Sequence, residues 1–373
     1  DLLAKGGIER IGLAEGILTH KPTGKDKYEV FPAIPDHTVG INLIIGAITD
    51  PKHGVIKLED INAVGHRVAH GGEFFNESVK IDADVKAKIE QLFELAPLHN
   101  PAHMKGILAI EKLLPKVEQV AVFDTSFHQT IPQANYMYAL PYKYYKELKV
   151  RKYGFHGTSH KYVAEKSAEF AGIDINSSKI ITCHIGNGAS ITAVLNGKSF
   201  DTSMGFTPVD GLVMGTRSGL VDPGALLYIA NKEGLSLDGI SDLVNKKSGL
   251  LGLSEVSNDM RDIHSAVEKG DKKAEMALDV FINRIKFYIG AYAAEMNGVD
   301  MIVFTGGVGE NDNIVRKAVC EGISYLGVDF NEANNNIRGT EVLLSKPSSK
   351  VKVVICPTDE ELVIASDTYK LVK

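Results

Sequence analysis

Short apolar runs alternate along this sequence with longer segments whose apolar residues recur every three or four positions. The runs typical of strands span residues 63–69, 119–123, 179–185, 189–195, 301–304 and 351–355. The segments typical of helices span residues 82–95, 101–114, 158–171, 223–231, 237–244, 271–296 and 359–371, with another from about Asn313. Thr158 or Ser159 is expected to cap the third of these helices. This alternation predicts an α/β fold.

Size and composition limit the classes of protein to consider. A chain of 373 residues is too long for one ordinary core, so two domains are expected. The net charge of -6 argues against nucleic acid or an acidic membrane as the main partner. No apolar run approaches the ~18 residues of a membrane helix. Cys183, Cys320 and Cys356 are expected to be buried small hydrophobes in a reducing, cytoplasmic protein.

Two glycine-rich turns follow predicted strands. Gly186-Asn187-Gly188 joins two strands as a hairpin, and Asn-Gly is expected to supply the positive φ angles of a tight turn. Gly306-Gly307-Val308-Gly309 joins a strand to a helix. Glycine lets backbone N–H groups approach an anion, so both turns are candidate phosphate contacts. Neither is a Walker loop, and neither matches the dinucleotide-binding pattern.

Charged residues beside glycines are candidates for chemistry. Arg67 lies near Gly71-Gly72, and Arg217 lies in a glycine-bracketed loop. Arginine suits a carboxylate or a phosphate, although a structural salt bridge would also explain Arg67. His156 stands between Phe155 and Gly157, which is not a typical core pattern. Asp124 ends a buried strand, and Glu360 begins the last helix, where an acidic residue can simply favour the helix dipole.

Two other kinds of site are disfavoured. The histidines at 99, 103, 128, 156, 160 and 184 lack a His-Glu-x-x-His pattern and no cysteine assists them, so zinc is not expected. A serine hydrolase would need a Gly-x-Ser-x-Gly elbow after a strand, which the sequence lacks.

Taken together, these segments resemble the acetate kinase family, the acetate and propionate kinases of the acetokinase group. The resemblance covers nearly the whole chain in order. Its motifs are GHRVAHGGE (65–73), APLHNP (96–101), VFDTSFH (122–128), YGFHGTSHKYV (153–163), HIGNGAS (184–190), DTSMGFTP (201–208), GTRSGLVDP (215–223), NDMRDI (258–263), FTGGVGEN (304–311) and PTDEEL (357–362). One such motif arises easily by chance, but ten in sequence order do not.

The resemblance implies the fold of actin, the heat-shock chaperone ATPases and the sugar kinases. Two ribonuclease-H-like domains would flank a cleft that holds the active site. Residues 1–126 would form the N-terminal domain, completed by the C-terminal helix at 360–373, and residues 127–359 the nucleotide-binding domain. The family's first strand and its Asn-x-Gly-Ser-Ser-Ser phosphate loop would precede Asp1. We therefore expect the first domain to lack part of its sheet and of the phosphate site. A hinge is expected near residues 125–132.

The resemblance also implies an activity and a set of roles. The reaction is reversible transfer of the γ-phosphoryl group of ATP to acetate, with Mg²⁺, or Mn²⁺ in its place, and the family is usually dimeric. The catalytic residues would be Asp124, His156 and Arg217, with Arg67 on the carboxylate and Glu360 at the metal. The nucleotide would contact His184, Ile185, Gly186, Asn187, Gly188, Asp259, Met260, Arg261, Gly307, Val308, Gly309, Glu310 and Asn311.

The acyl pocket bears on the choice of substrate. Ala69, Leu98, Phe155 and Pro208 match the apolar walls that surround the methyl group of acetate in the family. The usual residue at the Ala69 position is valine, so we expect room for about one extra methylene, worth about 1 kcal/mol. Propionate kinase is therefore the alternative activity, and the more distant butyrate kinase ranks below it. Leu220 also departs from the family, which usually has Asp or Asn there.

Two other classes share the implied fold. A sugar kinase would need a base for a hydroxyl group and polar residues for the sugar, whereas Arg67, His156 and Arg217 suit a carboxylate. A filament or chaperone ATPase would need a polymer interface or an additional peptide-binding domain. Asp124 has an ordering role in this interpretation, because a carboxylate substrate is already ionised at pH 7 and needs no general base.

Overall fold

The computed structural model describes residues 1–97 and 99–373. The chain forms two compact units. The first comprises Asp1–Phe123 and Glu361–Lys373, and the second comprises Asp124–Glu360. Residues 125–132, where a hinge was expected, belong to the second unit and contain a 3-10 helix at Ser126–Thr130.

The regular elements follow each other in the alternation that the sequence predicts. The strands are β1 (Ala4–Glu9), β2 (Ile17–Pro22), β3 (Tyr28–Val30), β4 (Ala63–Val68), β5 (Val79–Lys80), β6 (Glu118–Phe123), β7 (Lys179–Ile185), β8 (Ala189–Leu195), β9 (Lys198–Thr202), β10 (Met301–Thr305), β11 (Val342–Leu343) and β12 (Lys352–Ile355). The helices are α1 (His37–Thr49), α2 (Ala83–Gln91), α3 (Asn100–Leu113), α4 (Gln133–Tyr136), α5 (Lys143–Leu148), α6 (Gly157–Ala171), α7 (Pro223–Glu233), α8 (Leu237–Lys246), α9 (Gly249–Ser254), α10 (Met260–Glu268), α11 (Lys272–Glu295), α12 (Gly306–Asn311), α13 (Asn313–Gly322) and α14 (Glu360–Val372).

The first unit contains two small sheets. One is antiparallel with the order β1-β2-β3, and the other has the order β4-β6-β5 with β4 parallel to β6. Helices α2 and α3 cover the second sheet, where Ile89 and Ile107 pack with Phe123. The ring of Phe75 stacks on that of Phe123 with centroids 4.3 Å apart. This packing fixes the end of β4, from which Arg67 projects.

The second unit is built on a six-stranded sheet with the order β11-β12-β10-β7-β8-β9. Strand β10 lies between β12 and β7 and is parallel to both. Its residues alternate between two cores, since Ile302 and Phe304 pack on the side of α11 while Met301 and Val303 pack on the side of α6. Burial on both faces explains why this strand reads as an uninterrupted apolar run.

Most of the expected elements are confirmed to within a few residues, and two local expectations are wrong. None of Gly186, Asn187 and Gly188 adopts a positive φ. Three residues separate β7 from β8, whose last pair is Ile185 with Ala189, so the loop does not need the two-residue mirror-image turn. The glycines serve by lacking a side chain instead.

The start of α6 is the second correction. Neither Thr158 nor Ser159 caps the helix, because both lie inside it and are buried. The cap residue is His156, which has a left-handed backbone with φ 56° and makes no capping bond through its side chain. This conformation is uncommon outside glycine, although histidine adopts it more often than most residues, and in a folded protein it is held by the surrounding contacts.

Two further expectations concern the cysteines and membrane-spanning helices. All three cysteines are buried and free, as expected for small hydrophobes, and burial raises the pKa of the Cys356 thiol to about 11. Among the described residues, no helix has the length and apolar character needed to cross a membrane.

Candidate active site

A cavity of about 640 Å³ opens in the second unit beside the two glycine turns. It is lined by Gly186, Asn187, Gly215, Leu250, Asn258, Asp259, Met260, Arg261, His264, Phe281, Gly307, Val308, Asn311, Asp312, Asn313, Ile314 and Arg338. Apolar side chains and convergent polar groups in one cavity of this size are typical of a small-molecule site.

The cavity brings together many of the expected nucleotide contacts. Eight of them line it, namely Gly186, Asn187, Asp259, Met260, Arg261, Gly307, Val308 and Asn311. The hairpin and the loop from residue 215 meet here, because Gly215 donates its N–H to the Asn187 carbonyl at 3.1 Å. A Cβ at Gly215 would overlap Asn187 Oδ1 and lie 3.2 Å from the Asn258 carbonyl oxygen, so a side chain here would displace Asn187 from its position.

Five of the expected nucleotide contacts do not line this cavity: His184, Ile185, Gly188, Gly309 and Glu310. Ile185 is buried in the core. Glu310 Oε1 accepts hydrogen bonds from Gly306 N at 2.9 Å and from Thr358 N at 3.2 Å. The carboxylate thus braces the glycine turn against the segment that precedes α14.

Arg217 and His156 converge at Gly188. A methyl group placed on Gly188 would lie 3.5 Å from Arg217 Nη1 and 3.7 Å from His156 Nε2, so both groups face the same small space. Arg217 Nη1 also contacts the Met214 sulfur at 3.9 Å. Burial lowers the pKa of the Arg217 guanidinium from its ordinary value. A half-buried cation in this setting favours binding of an anion.

The histidine ring is held from two sides. His156 Nδ1 lies 2.8 Å from Ser190 Oγ, and the ring stacks on His184. His184 Nδ1 in turn lies 2.8 Å from Ser159 Oγ, which lies 2.8 Å from Thr358 Oγ1. The segments around residues 156, 184 and 358 are therefore fastened together.

Asp124 lies immediately behind the start of α6. It is 1% exposed, and its carbonyl accepts a hydrogen bond from Gly157 N at 2.8 Å. A Cβ at Gly157 would overlap that carbonyl oxygen, so only glycine permits this approach. The backbone of Asp124 is thus tied to the residue that follows His156.

The expected substrate residues of the first unit lie at the end of β4. Arg67 is exposed, whereas Ala69 is 4% exposed and donates its N–H to His103 Nδ1 at 3.1 Å. The buried Asn100 pairs with the backbone of His70, accepting from its N–H at 3.1 Å and donating to its carbonyl at 3.0 Å. Burial lowers the pKa of His70 to about 4, which keeps its imidazole uncharged near neutral pH.

The remaining expected site residues are placed as follows. Phe155 is 6% exposed and packs in the main core of the second unit, and Pro208 is half-buried in the loop after β9. Leu98 lies outside the described residues. Leu220 is exposed on the loop that contains Arg217, and nothing in the structure explains this departure from the family.

The sequence did not single out the pair formed by His264 and Asp312 in the cavity wall. His264 Nε2 lies 2.6 Å from Asp312 Oδ2, and this hydrogen bond raises the pKa of His264. Asp312 also caps α13 by accepting from Val315 N at 3.0 Å. The Asp-Asn dipeptide before a helix is the signal that would have located this cap.

Arg316 is a second residue that sequence reasoning missed. It is fully buried, donates to the Gly309 carbonyl at 3.0 Å and donates to Asn335 Oδ1 at 3.0 Å. It therefore ties α12 to the loop around residue 335, which leads to Arg338 in the cavity wall. Burial of an arginine without hydrogen-bonded partners costs folding free energy, and these bonds offset that cost.

The residues present fit Mg²⁺ in their chemistry. Among the residues that the structure describes, no three His, Cys, Asp or Glu side chains cluster as a metal site. Mg²⁺ does not require such a cage, because one or two carboxylates together with substrate phosphates and water complete its shell. Glu360, half-buried at the first residue of α14, supplies an oxygen donor of the required kind.

The chain is similar to known proteins over nearly its whole length. The model of the acetokinase family matches residues 1–366. "Acetate kinase 2" of Clostridium perfringens is 53% identical over 371 residues, which are 99% of this chain and 93% of that protein. The crystal structure of Porphyromonas gingivalis acetate kinase matches with a TM-score of 0.96 at 51% identity, covering 100% of this chain and 94% of that chain.

A solved propionate kinase is also similar. The protein from Francisella tularensis matches with a TM-score of 0.92 at 41% identity, covering 99% of this chain and 93% of the other. The α/β fold with two units is thus the fold of the acetate kinases, as the sequence resemblance implied. The family model, the identity above 50% and the near-complete coverage together show that this chain belongs to the acetokinase family.

Proposed function

We propose that this chain is an acetate kinase, which transfers the γ-phosphoryl group of ATP to acetate and forms acetyl phosphate and ADP. Membership of the family supports the reaction class. The observation that carries the proposal is the convergence of Arg217 Nη1 and His156 Nε2 on Gly188. Phosphoryl transfer places negative charge on the equatorial oxygens of the moving group, and two nitrogen donors facing one space suit that charge.

The reaction needs no proton transfer. A carboxylate oxygen of acetate forms a bond to the γ-phosphorus while the bond from that phosphorus to the bridging oxygen of ADP breaks. Acetate is already ionised at pH 7, so the protein has to position and neutralise charge rather than remove a proton. Asp124, placed behind the start of α6, is proposed to hold charged groups in position.

Arg217 is proposed to bind the transferring phosphoryl group. In the part of the chain that the structure describes, no carboxylate forms an ion pair with this guanidinium. Its charge is therefore not neutralised by the folded protein, and a bound anion would offset the cost of its burial. Arg67 of the first unit is proposed to bind the acetate carboxylate, for which a guanidinium has matching geometry.

The nucleotide is proposed to occupy the cavity in the second unit. Gly186 and Gly307 bring backbone groups to its wall, while Leu250, Met260 and Phe281 supply apolar surface. Mg²⁺, held by Glu360 and the phosphates, would neutralise phosphate charge when bound. Mn²⁺ has similar oxygen chemistry and is expected to substitute.

The test is acyl phosphate formation, trapped as the hydroxamate, with ATP, Mg²⁺ and acetate. We expect activity in the unchanged protein and a loss of about 10²- to 10³-fold in kcat for Arg217→Ala, the range for removal of one donor to a developing charge. Arg284→Ala is the matched control, because the Arg284 guanidinium carbon lies 5.7 Å from the centroid of the Phe287 ring and the residue does not line the cavity. Phosphorylation of a sugar without any acyl phosphate would overturn the proposal.

Propionate is the second candidate substrate. Ala69 supports it, because this buried position carries a small side chain where the family usually has valine. One methylene in an apolar pocket changes discrimination by about 1–3 kcal/mol. Comparison of kcat/KM for acetate and propionate decides between them, and a strong preference for acetate removes propionate.

We also propose that the chain acts as a cytoplasmic homodimer. Helices α7 and α8 carry exposed apolar side chains, with Leu227 68%, Tyr228 65% and Leu237 85% exposed. Apolar surface of this kind is typical of an interface between subunits. Light scattering after size exclusion tests the dimer, and Leu237→Lys is expected to weaken it.

A further inference from the structure

The hydroxyl of Ser190 lies between two histidine rings. Ser190 Oγ is 2.8 Å from His156 Nδ1 and 2.7 Å from His160 Nε2. The other nitrogen of His160, Nδ1, is 2.7 Å from Thr182 Oγ1. Thr182, His160 and Ser190 are fully buried, so water does not compete along this row. We call the row Thr182–His160–Ser190 the relay.

Each residue of the relay can donate only one hydrogen bond through its side chain. His160 is neutral, because burial and neighbouring histidines lower its pKa well below the ordinary value. A neutral imidazole carries one N–H, and a serine or threonine hydroxyl donates only one hydrogen bond. The direction of each bond therefore fixes the direction of the next along the whole row.

One direction uses every contact. Thr182 Oγ1 is 3.5 Å from the Thr192 carbonyl, which can only accept. If Thr182 donates to that carbonyl, His160 Nδ1–H donates to Thr182, and His160 Nε2 carries no proton. Ser190 then donates to His160 Nε2 and accepts from His156 Nδ1–H. In the opposite direction, Thr192 loses this donor and Ser190 donates to His156 Nδ1.

We propose that Ser190 and His160 are positioning residues, which keep a hydrogen-bond acceptor facing His156 Nδ1 and direct His156 Nε2 into the space beside Arg217. This inference rests on the proposed phosphoryl transfer. With Ser190 accepting at Nδ1, His156 Nε2 takes up a proton from solvent when phosphate charge arrives, and the relay stays unchanged. In the opposite direction, Ser190 donates to His156 Nδ1. Protonation of His156 to the imidazolium would then place its Nδ1–H against the hydroxyl hydrogen of Ser190. The relay thus favours the imidazolium, which donates to the moving group from Nε2.

The test reads the tautomers directly in the unchanged protein. NMR correlation of ring protons with ¹⁵N in labelled histidine distinguishes an Nδ1–H ring from an Nε2–H ring. We expect His160 as the neutral Nδ1–H tautomer and His156 protonated at Nδ1. A neutral His160 with its proton on Nε2 would overturn the proposal, and this measurement does not depend on catalysis or on a variant that folds.

A substitution gives the second measurement. Ser190→Ala is expected to lower kcat about 10- to 100-fold, because a hydrogen bond to a charged group is lost, while KM for ATP and acetate stays within about twofold. Ser190→Thr retains the hydroxyl and should restore much of the rate. A Ser190→Ala enzyme whose kcat stays within about twofold of the unchanged protein would contradict the proposal.

Ser199→Ala is the matched control. Ser199 is also a buried serine bonded to a buried histidine, with its Oγ 2.8 Å from His128 Nδ1, but it lies outside the relay. Its loss should lower stability without lowering kcat more than about twofold, whereas a loss of kcat equal to that of Ser190→Ala would point to a general structural effect and against the relay.

If the unchanged protein makes no acyl phosphate, the proposed function fails even with the expected tautomers. If it is active with reversed tautomers, only the relay fails.

Discussion

The imidazole rings of His156 and His184 are stacked, with centroids 4.3 Å apart and planes inclined by 24°. Each ring is also bonded to a separate serine, His156 to Ser190 and His184 to Ser159. The stack and the two serine bonds define the plane and the direction of both rings. His156 therefore presents Nε2 to the space beside Gly188 before any substrate arrives, which is the preorganisation that electrostatic catalysis requires.

Gly188→Ala is expected to lower kcat/KM for acetate by about 10- to 100-fold, since small displacements of reacting groups are costly. The added methyl group would make only ordinary contacts, at 3.5 Å to Arg217 Nη1 and 3.7 Å to His156 Nε2, so the protein should fold. It would fill the space proposed for the phosphoryl group. Steady-state kinetics with the hydroxamate assay provides the measurement.

Gly46→Ala is the control for that substitution. Gly46 lies in α1, and a methyl group there would meet no atom within 4 Å. Replacement of glycine by alanine inside a helix stabilises by about 1 kcal/mol, and the kinetics should not change. If Gly188→Ala has the same kinetics as Gly46→Ala, the space beside Gly188 is not where the phosphoryl group moves.

Asp124→Asn should lower kcat at every pH. The proposed role of Asp124 is to hold charged groups in place, and an amide cannot do this by charge at any pH. A general base would behave differently, because hydroxide can replace it at high pH. Profiles of kcat between about pH 6 and 9 separate the two roles. Full recovery of activity at high pH would count against positioning alone.

Ala69→Val should move the preference towards acetate. Two methyl groups added at this buried position would fill space for about one methylene. We expect the ratio of kcat/KM for acetate to that for propionate to rise about fivefold, which corresponds to about 1 kcal/mol. Ala69→Ser adds one polar atom and less volume, so it serves as a control for size. An unchanged ratio in Ala69→Val would place the acyl group elsewhere.

The ion pair of His264 with Asp312 should make stability depend on pH. The hydrogen bond that His264 donates to Asp312 raises the pKa of His264 above its ordinary value in the folded protein. Its contribution is therefore complete below the pKa of the unfolded chain and is lost as pH rises through the higher folded value. We expect His264→Gln to lower the urea midpoint more at pH 6 than at pH 8.5. Equal shifts at both pH values would mean that the pair carries no charge-dependent stability.

The class of fold could be predicted from the sequence because buried strands and helices have recognisable patterns of apolar residues. Strand β10 is covered on both faces, so residues 301–304 are all apolar, and the helices on either side keep their periodic faces. Strands β1 to β3 were missed, because their exposed positions give no steady alternation of apolar and polar residues. The family motifs, by contrast, identified the acetokinase family without any coordinates.

The sequence offered candidate site residues one by one, but it did not give their geometry. The sequence marked Gly188, His156 and Arg217 as separate signals, and only the folded chain brings them to one point. The hairpin glycine suggested a φ angle, whereas its actual use is to leave space. Arg316 gave no signal, since an arginine in an amphipathic helix normally faces solvent, and its burial depends on Asn335 from a distant loop.

The buried Arg316 has a consequence for protein engineering. Its guanidinium joins Gly309 and Asn335, so α12 and the loop that leads to Arg338 in the cavity wall are held to each other. A library that aims to change the nucleotide should therefore keep these three residues constant and diversify the exposed lining positions around them. Recombination between relatives should exchange residues 306–338 as one block, because a crossover inside the block would separate the arginine from its acceptors.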